Sequence, residues 1–92
     1  MTKEQLAFMF NRTITGFFLE KDVSVYCEKR GGKKYFAIDD YSTYTEEEIE
    51  KDIFHPVAEF KSLDELWNFE YKGKKFADWV LPLEGLNIDN QF

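Results

Sequence analysis

Residues 23–40 read VSVYCEKRGGKKYFAIDD. Apolar and polar residues alternate on both sides of Gly31-Gly32. Two alternating runs joined by two residues that tolerate positive φ form a strong short-range signature of a β-hairpin, read here over 23–41. With Gly31-Gly32 as the turn, Cys27 falls opposite Phe36 and Val25 opposite Ile38. One face then carries Val23, Val25, Cys27, Phe36 and Ile38. The other carries Ser24, Tyr26, Glu28, Tyr35, Ala37 and Asp39. A slip of one residue would mix the two faces, so the pattern selects this register.

Upstream, residues 2–14 read as a helix capped by Thr2. Leu6, Met9, Phe10, Thr13 and Phe17 fall on one stripe, and Gly16 is the expected stop. Downstream, Thr45 and Glu48 form a T-x-x-E capping box that opens a helix over 45–53. Tyr44 and Ile49 are spaced for a hydrophobic staple, and Ile49 and Ile53 share a face. Pro56 ends that helix, and PVAEF (56–60) reads as a third strand. Ser62 and Glu65 form a second capping box, with a helix running to Asn68. Residues 69–81 stay open between a second hairpin turning at Tyr71–Lys74 and a loop leading to a helix over 74–81. Pro82 and Gly85 break the chain, and residues 86–92 read as a loose tail.

The expected fold is one α+β domain over residues 1–92: a small antiparallel sheet built on the Gly-Gly hairpin, an N-terminal helix, and short helices packed on one face. Ninety-two residues bury about 60–65% of the unfolded surface, so the core has little to spare. The aromatic block FKSLDELWNFEYKGKKFADWV (60–80) therefore reads mostly as core, with Trp67 and Trp79 the residues placed to surface at an interface.

The single cysteine excludes an intramolecular disulfide, and a free thiol suits a reducing compartment. The N-terminal stretch has no apolar run of signal-peptide length, and no segment has the roughly 20 apolar residues of a membrane span. A cytoplasmic protein without membrane contact is expected. The net charge of −6 argues against direct nucleic-acid binding, which needs clustered bases. That charge is uneven: residues 1–38 carry seven bases and four acids, whereas residues 39–52 (DDYSTYTEEEIEKD) carry seven acids and one base. Such a run is commonly a solvated face, and it also suits a partner with a basic surface.

No pattern of catalytic or metal-binding residues emerges. Cys27 lies on the apolar hairpin face, where a thiol is usually inert. His55 precedes a proline at a helix end and reads as a dipole partner or loop residue. No Cys/His spacing suits zinc, and the acidic run lacks the alternating order and the glycine of a calcium loop. RGGKK has no phosphate-loop pattern. No catalytic residue, metal or cofactor is expected, and the chain is read as a non-enzyme.

The remaining constellation is the outer hairpin face. Tyr26 and Tyr35 are diagonal neighbours, and Tyr41 and Tyr44 follow. These four tyrosines are the candidate anchors, and Asp39, Asp40, Glu46, Glu47 and Glu50 are the candidate charges.

Within the block 60–80, Phe60, Ser62, Glu65 and Leu66, followed by Gly73, Lys74 and Phe76, carry a resemblance. The pattern resembles one near the C-terminus of short uncharacterised proteins of Gram-positive bacteria and their phages, in which F-x-S-x-x-E-L-L is followed by D-G-K-S-L. It covers about twenty of the 92 residues. Trp67 stands where a second leucine is usual, and Lys72 where an acid is usual. The resemblance implies a Firmicute-like or mobile-element origin and favours a helix over 74–81. It implies no activity and no functional residues.

The sequence thus points to a non-catalytic acidic protein that binds another macromolecule, with a protein as the partner. Two other classes stay open: a phage-type inhibitor that mimics nucleic acid in the anti-CRISPR manner, and a small enzyme.

Overall fold

In the computed structural model, which describes residues 1–12 and 15–83, the chain forms an N-terminal helix, a four-stranded antiparallel sheet and short helices, an α+β arrangement. The helix α1 spans Lys3–Arg12. At its start the Thr2 hydroxyl accepts the Gln5 N–H at 3.2 Å, and Gln5 Oε1 accepts the Thr2 N–H at 2.7 Å. This reciprocal cap satisfies backbone donors that the helix cannot pair internally.

Strand β1 (Gly16–Phe18) follows. Here the structure corrects the sequence reading. Gly16 begins a strand instead of ending a helix, and Phe17 lies opposite Val25 of the next strand, not on the helical stripe. The neighbouring strand offers ladder hydrogen bonds that a prolonged helix would forgo. Phe17 still reaches the core, where it stacks on Phe10 at 6.0 Å. Thr13 lies outside the described residues.

Strands β2 (Val23–Arg30) and β3 (Lys33–Asp40) pair antiparallel, with Cys27 opposite Phe36 and Val25 opposite Ile38. Gly31 and Gly32 turn between them at φ 57° and 82°. Positive φ at both central positions is the turn that matches strand twist, and only residues like glycine adopt it without strain. Strand β4 (Ala58–Phe60) adds to β3, giving the order β1-β2-β3-β4.

Beyond β3, Tyr41–Thr43 form a 3₁₀ turn capped by the Asp40 carboxylate. Helix α2 (Glu46–Glu50) starts on the complete Thr45/Glu48 capping box. It ends three residues before the expected Ile53. Asp52 adopts φ 54°, and the N–H groups of Asp52 and Ile53 return to the carbonyls of Ile49 and Glu48. These two bonds close a left-handed C-terminal cap that stops the helix.

Helix α3 (Leu63–Trp67) opens on Ser62, whose hydroxyl accepts the Glu65 N–H. The reciprocal arm differs from a capping box, because the Glu65 carboxylate takes the Lys61 N–H at 3.2 Å. Residues 69–81 hold both of the alternatives left open. Strands β5 (Glu70–Tyr71) and β6 (Lys74–Lys75) form a small hairpin, and helix α4 (Phe76–Val80) follows directly. The tail 86–92 lies outside the described residues.

The core fills one side of the sheet. Leu6, Met9 and Phe10 of α1 meet Val23, Val25, Phe36 and Ile38, and Leu66, Phe76 and Val80 close it from α3 and α4. Phe10 packs edge-on to Phe36 at 5.6 Å. Trp67 and Trp79 are partly buried against this core, and the Trp79 indole N–H donates to the Lys74 carbonyl at 3.3 Å. Lys3 and Asp64 form an ion pair between α1 and α3.

Candidate functional site

The opposite face of the sheet carries Ser24, Tyr26 and Glu28 on β2, Tyr35, Ala37 and Asp39 on β3, and Glu59 on β4. Its two ends differ. At the hairpin end, one Arg30 nitrogen meets Glu28 at 3.0 Å and Glu59 at 2.8 Å, while the guanidinium lies 5.1 Å from the centre of the Tyr35 ring. Tyr35 is thus held under an arginine clasp that joins β2 to β4, with one guanidinium shared by two carboxylates.

At the other end the face is covered by residues 41–57. Tyr44 donates its hydroxyl to Asp39 Oδ1 at 2.8 Å and accepts the His55 N–H at 2.9 Å. The His55 ring stacks on Tyr44 with centroids 3.9 Å apart, and His55 Nε2 lies 2.7 Å from Glu48 Oε2, an ion pair when the imidazole is protonated. Burial, aided by Asp39, pushes the Tyr44 phenol up to about 12, so it stays a neutral donor. Phe54 packs against Tyr26 at 5.4 Å, and Tyr41 against both Phe18 and Tyr44.

Asp39 and Asp40 are buried, so neither contributes charge to the surface. Successive strand residues point to opposite faces, and these two do so. Asp40, opposite Val23, is on the core side. There it accepts from Ser42 N–H at 3.0 Å, Ser42 hydroxyl at 2.6 Å and Tyr71 hydroxyl at 2.6 Å, with Lys72 Nζ 3.1 Å away. Burial alone would push the Asp40 carboxyl up, but these donors together hold it well below the usual carboxylate range. Asp39, opposite Ser24, is on the outer side and only 1% exposed. Its Oδ1 takes Tyr44 and the Asp40 N–H, whereas its Oδ2 has no hydrogen-bond partner.

Between these elements lies a cavity of about 280 Å³, lined by Ser24, Tyr26, Glu28, Asp39, Tyr41 and Phe54, with Thr15 and Cys27 at its β1 side. Gly16 of β1 stands opposite Tyr26 in the ladder. The Tyr26 hydroxyl is held protonated far above its ordinary range, first by burial and then by the negative charge of Asp39, Glu59 and Glu28.

Glu46, Glu47 and Glu50 stand exposed on α2, and Glu47 pairs with Lys51 at 2.6 Å. The helix buries none of its residues, and Ile49 is 55% exposed. Ile53, Phe54 and Val57 are exposed just beyond it. Of the residues expected as anchors, the structure brings Tyr26, Tyr41 and Tyr44 together around Asp39 and sets Tyr35 apart under Arg30. The sequence reading put Ser24 on this face without naming it as a site residue, and it missed Phe54; the proximity of Phe54 to Tyr26 is a tertiary contact with no local signal.

Cys27 is half-buried, and burial raises its thiol despite Lys34 and Lys29 nearby. Among the described residues no group of three or more His, Cys, Asp or Glu side chains could hold a metal ion, and no helix is long and apolar enough to cross a membrane.

The molecule is a small α+β domain with one face of its sheet given to a core and the other to a cavity whose lining includes Tyr26, Tyr41, Glu28 and Asp39, with a separate acidic helix. No family model matches the chain, and no curated protein or solved structure matches it significantly.

Proposed function

We propose that this chain is a non-catalytic protein that binds another protein through a basic surface of that partner. The observation that carries the reading is α2. The other short helices bury apolar residues, Leu66 from α3 and Phe76 and Val80 from α4, but α2 buries nothing. It is nevertheless capped at both ends, and it presents Ile49 beside Glu46, Glu47 and Glu50. Tyr41, Ile53, Phe54 and Val57 are further exposed large side chains in the same stretch of sequence, the exposed strip of residues 41–57. Apolar anchors among charges of one sign have the make-up of an interface for a partner of the opposite charge. The resemblance of the C-terminal block adds an origin in Gram-positive bacteria or their phages, and the free thiol adds a reducing compartment.

A nucleic-acid mimic would draw on the same acids. It has less support, because Asp39 and Asp40 are buried and a five-residue helix extends only about 7.5 Å, too short for a row of phosphate-like charges.

The test uses tagged protein to capture a partner from lysate of a Gram-positive host, followed by purified binding measurements. A partner bound by the wild type should be lost when Glu46, Glu47 and Glu50 are all changed to Lys, and weakened by Ile49→Ser. Binding should fall as salt rises, since exposed charges are screened beyond about 10 Å at 0.1 M. Retention of the partner by both variants would overturn the reading. Competition by nucleic acid for the same site on the partner would favour the mimic instead.

A further inference from the structure

We propose that the cavity on the outer face of the sheet receives the cationic end of a lysine or arginine side chain, with the Asp39 carboxylate at its floor and the rings of Tyr26, Tyr41 and Phe54 around it. The proposal deepens the partner-binding reading by naming the group that a basic partner inserts.

Asp39 is 1% exposed, yet Oδ2 accepts no hydrogen bond from the protein. A buried carboxylate oxygen without a donor is costly, and native structures rarely leave one without a use. Its chemical complement is an N–H on a positive charge.

Tyr26, Tyr41 and Phe54 offer aromatic surface, whose electron-rich faces attract cations and whose area packs an alkyl stem. The lining holds Asp39 and Glu28 and no base among the described residues. Glu28 already meets Arg30, so Asp39 is the carboxylate that still lacks a cation.

About 280 Å³ sits just below the usual range of small-molecule sites, which suits the end of one side chain and not a larger ligand. The cavity also adjoins the exposed strip, since Phe54 belongs to both. Contact with Oδ2 requires one adjustment, because the carboxylate is covered. Phe54 and Tyr41, 55% and 43% exposed, are the rim side chains with room to turn.

The test titrates the whole chain with Nα-acetyl-lysine methylamide and Nα-acetyl-arginine methylamide, following backbone amide shifts by NMR. Nα-acetyl-norleucine methylamide is the uncharged control. A cationic probe should shift Ser24, Tyr26, Asp39 and Phe54, with the norleucine probe about tenfold weaker. The tighter of the two cations identifies the side chain. Asp39→Asn and Phe54→Ala should each weaken the cationic probe about fivefold to tenfold. Phe54 is an exposed rim residue, so its variant decides the matter if Asp39→Asn fails to fold.

Equal binding of norleucine, shifts confined to α2, or no shift with any probe would overturn the proposal; the last is the result for a cavity that only holds water for Asp39. A negative titration leaves the α2 reading standing, because it involves no partner. Loss of that reading in the capture experiment leaves the titration result intact.

Discussion

Tyr71 donates its hydroxyl to Asp40 Oδ2 at 2.6 Å, and Lys72 brings Nζ to 3.1 Å of the same oxygen. These contacts tie the β5–β6 hairpin to the end of β3. Lys72 adopts φ 53° to turn that hairpin, a conformation a lysine rarely takes, and Gly73 follows at φ 75°. The buried anion at Asp40 is what the turn reaches.

Tyr71→Phe should therefore destabilise the fold by about 1.5–3 kcal/mol at pH 7, the usual worth of a hydrogen bond to a charged group. The dependence on pH has a definite sign. The Asp40 carboxyl is depressed in the folded state, so the unfolded chain binds more protons between the two values, and stability rises with pH across that interval. The contribution is complete above the ordinary carboxylate value of 3.8 and is lost as pH falls towards the lower native value. The Tyr71 phenol, pushed up to about 12 by burial and then by Asp40, stays a donor throughout. Urea midpoints measured from pH 7 to pH 2 should show a gap between wild type and variant that narrows below about pH 4. Equal stability at pH 7 would contradict the tie.

Thr45 and Ile49 should separate structure from surface in α2. Thr45→Ala removes the capping box and costs about 1 kcal/mol of helix stability. Amide exchange at Ile49, whose N–H bonds to the Thr45 carbonyl at 3.1 Å, should then quicken about fivefold. Ile49→Ser touches nothing buried and should stay within about 0.5 kcal/mol in global unfolding. A large cost for Ile49→Ser would mean that the residue packs in a way its exposure denies.

Cys27 should react slowly. Burial raises its thiol, and Lys34 and Lys29 only partly oppose this, so little thiolate is present at pH 7. Labelling by a disulfide reagent should be at least about tenfold slower in the folded chain than in urea. Comparable rates would place the thiol in the open.

Local signals were legible in the sequence where the interacting groups are close along the chain. The Thr45/Glu48 box lies within four residues and forms as read. The alternation of residues 23–40 and the pairing of β2 with β3 agree residue for residue, because a one-residue slip would bury charge. Signals failed where a distant partner decides the outcome. Phe17 keeps helical spacing with Phe10, but the open edge of β2 draws it into a strand. Asp39 and Asp40 read as surface charges because they begin an acidic run. The register extended by two residues places Asp40 opposite Val23, on the apolar face, where a carboxylate must find partners. One of them, Tyr71, lies 31 residues away.

Alternation, turn glycines and helix caps thus determined the α+β class and which faces of the strands are apolar, because those effects act over a few residues. It took the tertiary structure to bury two of the seven acids in 39–52, to leave α2 with no buried residue, and to bring Phe54 and Tyr41 into one cavity lining with Asp39. Those outcomes depend on how residues 41–57 fold back across the sheet, and no short-range periodicity encodes that path.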